Sequence, residues 1–238
     1  MPSTPQDLAE STFEFVRKTY YKDRTNYNKS DNKWYDPGKV SAALASWVAA
    51  RNAVRDVAHE QINALRQEVE KQQIDEKIGL SKAAEGDFMI KQMNAHREFR
   101  AFNCQELTAL CAAIAKHRLG AEDAQLYWAA VDPPGDHAFA LFGTLDGMKA
   151  AHRAVIQDFK RLKFGDEPMP WVADVWLNTC CSLADYPARV STKLGEWEQE
   201  GKRLWWTGRD DNQPGWYNPS GEYKFSFLRS TVKIRKAA

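Results

Sequence analysis

Two alternating apolar segments, 125–131 and 137–142, place the strongest constraint on the fold because the short sequence Asp-Pro-Pro-Gly joins them at 132–135. Two adjacent prolines exclude a tight type I′ turn, but they suit a short rigid loop between antiparallel strands. We therefore predict a β-hairpin, and with it an antiparallel sheet.

Helical and strand-like segments surround this hairpin. A helix is predicted between a start signal at Asn103 and a stop signal at Gly120, because the apolar residues between them lie on one helical face. The spacing over 147–162 predicts another helix, and the Trp- and Val-rich segment 170–177 predicts a third strand. A helix over 191–205 and a last strand over 223–228 are expected to follow.

The first hundred residues are predicted to be mainly helical, with a polar, Asn-rich loop over 22–37. Apolar positions from Val40 to Val69 recur at three- and four-residue spacing, which predicts one long helix that Gly79 ends. A further helix is expected over 80–98. The long helix is rich in Ala rather than in regular Leu, so we expect it to pack on the protein's own core, with a partner-binding surface as the alternative.

The change of period near residue 100 predicts an α+β protein with two parts, a helical region over 1–99 and a domain over 100–238. The charge is nearly balanced, with 33 Lys and Arg against 32 Asp and Glu, so no global field favours nucleic acid. No apolar run approaches the roughly 18 residues of a membrane span. We expect no transmembrane segment.

The start of the chain lacks a basic region followed by an apolar one, so classical secretion is not expected. We expect a cytoplasmic location in the producing cell, which is compatible with export as an effector that carries no classical signal peptide.

Cys104 occupies a position that suits chemistry. Asn103 is a preferred N-cap residue and Glu106 completes a capping-box pattern, so Cys104 is expected to be the first helical residue. Unpaired amides and the helix dipole stabilise a thiolate there. Cys111 lies on the apolar stripe of the same helix, and we expect it to be a core residue.

His137 and Asp174 are polar residues in apolar strands. His137 opens a strand directly after the rigid loop, and a polar ring at that position needs a partner. Asp174 lies inside Trp-Val-Ala-Asp-Val-Trp, and a buried carboxylate is costly unless it is paired. Pairing with Asp174 would orient His137 toward Cys104. Loop amides or a core Arg are alternative partners for Asp174, and Asp146 is its rival as partner of His137.

These segments resemble a known superfamily. Asn-Cys-Gln-Glu at 103–106, Gly-Asp-His-Ala-Phe at 135–139 and Asp-Val-Trp-Leu-Asn at 174–178 are similar to signatures of papain-like and transglutaminase-like cysteine hydrolases, in their bacterial toxin and effector branch. The resemblance covers about residues 100–190. It implies a papain- or transglutaminase-like catalytic domain with an antiparallel sheet.

The resemblance also implies a catalytic triad. Cys104 would be the nucleophile, His137 the general base and later acid, and Asp174 the residue that fixes the His tautomer. The Cys104 amide would supply one oxyanion donor. Two departures are visible: Gln105 follows the nucleophile where papains have Trp, and 37 residues separate His137 from Asp174, an unusually long interval that a helical insertion would explain.

The implied function is a cysteine-dependent amide hydrolase acting on a protein substrate, with deamidation of Gln or Asn as the leading reaction. A cysteine peptidase and an acyltransferase are alternatives within the superfamily. A non-catalytic interaction protein that uses the long helix is the alternative of another class.

No metal or cofactor is expected. A zinc site from Cys104, His137, Cys180 and Cys181 is disfavoured because adjacent cysteines chelate one ion poorly, and the last two are expected to pack near the site. The aromatic cluster of Trp205, Trp206, Trp216 and Tyr217 is expected to close a small core rather than to form a binding platform. The basic end of the chain, with Arg229, Lys233, Arg235 and Lys236, is expected to be solvated.

Overall fold

A computed structural model describes most of the chain. The described residues are 4–21, 33–36, 38, 45–46, 49, 55–76, 81–95, 102–133, 135–206 and 215–237. The α-helices are α1 (Pro5–Val16), α2 (Arg55–Glu76), α3 (Lys82–Ala95), α4 (Cys104–His117), α5 (Leu145–Ala151), α6 (Tyr186–Gln199) and α7 (Lys224–Arg229). The strands are β1 (Lys33–Tyr35), β2 (Leu126–Val131), β3 (His137–Phe142), β4 (Trp171–Asp174), β5 (Thr179–Ser182), β6 (Lys202–Trp206), β7 (Gly215–Tyr217) and β8 (Val232–Lys236).

An antiparallel sheet of five strands forms the centre of the fold, in the order β5-β4-β3-β2-β8. The predicted hairpin is confirmed, since β2 pairs with β3 in a register that sets Val131 opposite His137. β4 then pairs with β3, with Leu141 opposite Val172. The strand that carries His137 therefore lies beside the strand that ends in Asp174. β1, β6 and β7 form a separate small antiparallel sheet.

Helix α4 is the central helix of the core. Its predicted stripe of Leu107, Leu110, Cys111 and Ile114 is buried, and so are the alanines on its other faces. Helices α1 and α3 both pack against it, and α1 also reaches β4. Side chains from α1, α2, α3 and the sheet belong to one continuous hydrophobic cluster. The sequence boundary at residue 99 therefore does not coincide with a gap in the core, and the two-domain division stays a prediction.

The predicted long helix is present in part as α2, in which Ala58, Ile62, Leu65 and Val69 are buried at helical spacing. The predicted start of this helix, over 40–54, lies almost entirely outside the described residues. The helix expected over 80–98 is confirmed as α3. Among the described residues, no helix combines the length and the apolar character needed to cross a membrane.

The single helix expected over 147–162 is wrong. Helix α5 ends at Ala151, Arg153 takes a positive φ of 63°, and a short 3₁₀ helix follows at Ile156–Arg161. The intervening backbone bonds instead to the edge of the sheet: the Arg153 amide donates to the Val232 carbonyl over 2.7 Å. The apolar residues at this spacing are buried, but they lie on two short helical segments rather than on one helix.

The strand expected over 170–177 ends three residues early, at Asp174. The chain turns through Val175–Asn178, where Asn178 has a φ of 56°, and returns as β5, a strand that was not expected from the sequence. Cys180 and Cys181 lie on β5, opposite Ala173 and Val172. The turn directs the Leu177 backbone amide back to the Asp174 carboxylate.

Two predictions near the end of the chain are also wrong. The helix expected over 191–205 is α6, which begins at Tyr186 and ends at Gln199, and the chain then continues as β6. The strand expected over 223–228 is helical: Tyr223 and Phe227 are buried four residues apart, while Phe225 between them is 49% exposed. A helix with one exposed face accommodates the same alternation of aromatic residues.

The basic end of the chain forms the strand β8, and its Lys and Arg side chains are exposed to solvent, as expected. In β8, Val232 and Ile234 are buried while Lys233 and Arg235 face outward. Lys233 forms an ion pair of 2.7 Å with Asp132, next to the hairpin loop. Among the aromatic residues predicted to cluster, Trp205 and Trp216 meet edge to face at 5.5 Å on the small sheet, with Trp205 40% exposed.

The crossing of α3 and α4 gives a stability prediction. A Cβ at Gly86 would lie 2.1 Å from the Ala109 carbonyl oxygen, whereas a Cβ at Gly195 in α6 would meet nothing within 4 Å. We expect Gly86→Ala to lower the free energy of unfolding by about 1–3 kcal/mol through overpacking. Gly195→Ala should raise it by up to about 1 kcal/mol through helix propensity. Urea denaturation measures both, and equal effects of the two substitutions would contradict the close crossing.

Candidate active site

Cys104 is the first residue of α4, as expected from the sequence. The Asn103 backbone N–H donates to the Glu106 carboxylate over 2.9 Å and thereby caps the helix. The Thr108 hydroxyl donates to the Cys104 carbonyl over 2.7 Å. The first amides of a helix have no intrahelical acceptor, so the thiol lies at the positive end of the helix dipole. Cys104 is 9% exposed and is thus recessed below the surface.

His137 is the first residue of β3, and a tight turn delivers it there. Asp136 has a φ of 37°, and the Gly135 amide donates to the Asp132 carbonyl over 2.9 Å. A Cβ on Gly135 would lie 2.4 Å from a Val131 methyl group, so this position needs glycine. The close approach of the turn to the sheet therefore determines where the imidazole begins.

Aromatic rings surround the His137 imidazole. The ring centroid lies 5.1 Å from that of Trp176, 5.4 Å from that of Phe227 and 6.1 Å from that of Phe139. His137 is only 4% exposed. Such packing holds the ring in one orientation and excludes water from its faces.

The Asp174 carboxylate accepts hydrogen bonds on both oxygens. His137 Nε2 lies 2.7 Å from Oδ2, and the Tyr186 hydroxyl donates to the same oxygen over 2.6 Å. The Leu177 amide, in the turn after β4, donates to Oδ1 over 2.9 Å. Asp174 is 1% exposed, so these contacts replace the water that a buried carboxylate would lose.

This arrangement defines the roles of the two ring nitrogens of His137. An ionised carboxylate can only accept hydrogen bonds, so Nε2 carries a proton toward Asp174. Nδ1 is then the nitrogen available to Cys104, whose side chain is also hydrogen-bonded to His137. Sulfur, imidazole, carboxylate and the Tyr186 phenol form one continuous chain of side chains.

The electrostatics favour a charged imidazole. Burial alone would lower the pKa of His137, but the negative charges of Asp174 and Cys104, with hydrogen bonds to both, raise the pKa to about 10. Burial, together with Asp174, raises the pKa of Tyr186 well above its ordinary value. Tyr186 therefore stays protonated and keeps donating to the carboxylate.

Asp146, the rival partner, lies elsewhere. It sits in the first turn of α5, where Lys149 pairs with it over 2.7 Å, and it is 69% exposed. The hydrogen bond between His137 and Asp174 is the pairing that the sequence favoured.

The other cysteines have the character of core residues. Burial raises the pKa of Cys111 far above its ordinary value, and it raises those of Cys180 and Cys181 to about 12. Within the part of the chain that the structure describes, no group of three or more His, Cys, Asp or Glu side chains is placed to hold a metal ion.

Several residues of this site were not found from the sequence. Tyr186 carries no motif, because its role depends on where α6 begins relative to β4. Tyr223 is buried close to Cys104. Burial raises the pKa of its phenol, and the negative charge of a Cys104 thiolate raises it further. The alternating aromatic pattern over 223–228 was a signal for Tyr223 and Phe227, but it favoured a strand.

Comparisons of the chain with protein-family models, with curated proteins and with solved structures find no significant match.

The His137 pKa predicts a pH-dependent stability. The unfolded chain loses the His137 proton near pH 6.5, but the folded protein keeps it to about pH 10. The stabilisation is thus fully present below pH 6.5 and is lost as the pH rises through 10. In Asp174→Asn the loss of stability with rising pH should be smaller and occur at lower pH, because the negative charge that most raises the pKa of His137 is gone. Denaturant unfolding across a pH series measures the slope of the free energy of unfolding against pH.

Asp146→Asn is the matched control, since it removes an exposed carboxylate in the first turn of α5. It should leave the pH dependence as in the unsubstituted chain. Equal slopes in Asp174→Asn and the unsubstituted protein would contradict this electrostatic account of the pair.

Proposed function

We propose that this protein is a cysteine-dependent amide hydrolase, with Cys104 as nucleophile, His137 as general base and acid, and Asp174 as the group that orients the imidazole. The observation that carries the proposal is the buried hydrogen bond of 2.7 Å between His137 and Asp174, beside a cysteine at a helix start. A buried ion pair of this kind is costly to maintain in a core, and chemistry at Cys104 provides a reason for it.

The proposed reaction divides into two steps. The Cys104 thiolate attacks the amide carbon, and backbone amides at the start of α4 bind the oxyanion. The C–N bond breaks as the His137 imidazolium gives a proton to the amide nitrogen, which leaves as ammonia, and a thioester remains. Water then adds to the thioester and gives a proton to His137. The C–S bond breaks and releases a carboxylic acid and the Cys104 thiolate.

Deamidation of a Gln or Asn side chain is the leading reaction. Cys104 is recessed, at 9% exposure, and the proposed general base His137 is packed against the buried rings of Trp176 and Phe227. A projecting side-chain carboxamide reaches such a sulfur more readily than a main-chain carbonyl, which needs an open cleft. The signatures resemble those of bacterial toxin and effector enzymes, which supports a protein as the substrate. Within this proposal, the papain- or transglutaminase-like fold is the scaffold that supplies the triad.

Thiol reactivity tests the catalytic centre directly. We expect iodoacetamide at neutral pH to alkylate Cys104 faster in the folded than in the denatured protein, because the imidazolium and the helix start stabilise the thiolate. His137→Ala should slow this reaction about tenfold or more, since about 1.4 kcal/mol of lost thiolate stabilisation lowers the thiolate population tenfold. Peptide mass spectrometry measures the rate at each cysteine.

Two controls accompany this measurement. Cys111 in the same helix is fully buried and should stay unmodified in the folded protein. His117→Ala removes an exposed imidazole that pairs with Asp87, and it should leave the Cys104 rate unchanged. A Cys104 that reacts no faster than in the denatured chain, or that ignores His137→Ala, would contradict the proposed function.

The products distinguish the possible reactions. A protein extract treated with the enzyme and methylamine should show Gln or Asn converted to the acid, with ammonia released, and Cys104→Ala should show none. His137→Ala should slow the conversion about 10²- to 10⁴-fold, the usual contribution of a general acid and base. New chain ends would instead identify a peptidase, and methylamide products an acyltransferase. Identical extracts from the active and Cys104→Ala proteins would favour an interaction protein.

A further inference from the structure

A second buried carboxylate lies beside the proposed nucleophile. Glu106 is two residues after Cys104 in the first turn of α4, and it is 1% exposed. Its Oε2 accepts a hydrogen bond from the Asn103 backbone N–H over 2.9 Å, so a different orientation of the side chain would remove the cap of the helix. A negative charge at this place opposes a thiolate on Cys104 and cancels part of the positive field at the helix start.

Arg66 supplies the compensating charge. Its Nε donates to Glu106 Oε1 over 2.7 Å, from helix α2 and 40 residues earlier in the chain. The Arg66 side chain is 46% exposed, whereas that of Glu106 is 2% exposed. The arginine thus reaches inward from a partly solvated helix to neutralise a carboxylate that has no direct access to water.

Other elements also bring charged or titratable groups close to Cys104. These are His137 from β3, which is paired with Asp174, and Tyr223 from the π-helical segment 219–223. His137 and Asp174 have opposite charges, so the ion pair of Arg66 and Glu106 is the second balanced pair beside the thiol. Removal of Arg66 would take this cation away from the buried Glu106 carboxylate, and removal of Glu106 would take a negative charge away from the start of α4.

We propose that Arg66 is a positioning residue for the Cys104 thiolate, which it stabilises by neutralising Glu106 at the start of the nucleophile's helix. The inference rests on the proposed function of Cys104. It gives the helical N-terminal region a role in the chemistry, because α2 then sets the charge at the helix start that carries the sulfur.

The pH dependence of Cys104 alkylation by iodoacetamide tests this role, because opposite charge changes must move it in opposite directions. Arg66→Met should move the midpoint of the pH–rate profile to higher pH. The rate at neutral pH should then fall by about tenfold for every whole pH step that the midpoint moves. Glu106→Gln should move the midpoint to lower pH, since its amide oxygen still accepts from Asn103. Arg66→Lys, which keeps the charge, should stay close to the unsubstituted protein.

The double variant Arg66→Met with Glu106→Gln should not show the higher midpoint expected for Arg66→Met alone. Arg161→Met is the matched control. Arg161 forms an exposed pair of 3.3 Å with Asp158, and its removal should leave the midpoint unchanged. A merely structural role for Arg66 predicts loss of fold, seen by circular dichroism, without opposite movements of the midpoint. If Arg66→Met does not fold, Glu106→Gln keeps the inference falsifiable, because an unchanged or higher midpoint in that variant would overturn it.

Movement of both midpoints in the same direction, or an unchanged midpoint in Arg66→Met and Glu106→Gln, would overturn the inference while Cys104 still reacts in a His137-dependent manner. An unreactive Cys104 in the unsubstituted chain would instead overturn the proposed function itself. The two failures are therefore distinguishable in one set of measurements.

Discussion

The buried carboxylate of Asp174 is the constraint on which the rest of the site depends. A charge removed from water must be met by hydrogen bonds, and three donors from different elements converge on this one. They are a ring nitrogen from β3, a phenol from α6 and an amide from the turn between β4 and β5. The strand pairing, the turn and the start of α6 must all be in place before the carboxylate is satisfied, so the fold and the site form together.

The same arrangement makes the two ends of the His137 imidazole unequal. One nitrogen is held by a carboxylate that cannot rotate, because its other oxygen is bound to a backbone amide. The other nitrogen is left for the thiol. Tyr186 shares the oxygen that binds His137, and it therefore limits how much negative charge the imidazole experiences. A phenol at this place tunes the His137–Asp174 pair, and it does so from the interior of the protein.

The segments that could be predicted from sequence are those in which local pattern and tertiary environment agree. The hairpin of β2 and β3 follows from two apolar runs around adjacent prolines, and α4 follows from its cap and stripe. The pairing of His137 with Asp174 could be predicted, because an unpartnered polar residue in an apolar strand is costly. The contact of Tyr186 with Asp174 could not be predicted, because nothing near Tyr186 in sequence indicates a carboxylate 12 residues away.

Two of the wrong predictions share one cause. Residues 147–162 and 223–228 have apolar spacings that a continuous helix or a strand would satisfy locally, but long-range contacts decide otherwise. Val155 pairs with Thr231 at the edge of the sheet, which breaks the helix. Phe227 packs on His137, which requires a helical turn in place of a strand. The Val-Lys-Ile-Arg alternation of β8 was a usable strand signal, but its charges favoured a solvated end.

The pairing of β8 with β2 has a kinetic consequence. Val232 lies opposite Val131, about a hundred residues earlier in the chain, and the Ser230 side chain fills the space that a Cβ on Gly135 would need. Contacts between such distant segments form slowly, because a large loop must close first. The turn that delivers His137 gains this support only when residues 230–236 dock. Until then an emerging or shortened chain would hold its thiol without a fixed base, and the proposed enzyme would acquire activity late in folding.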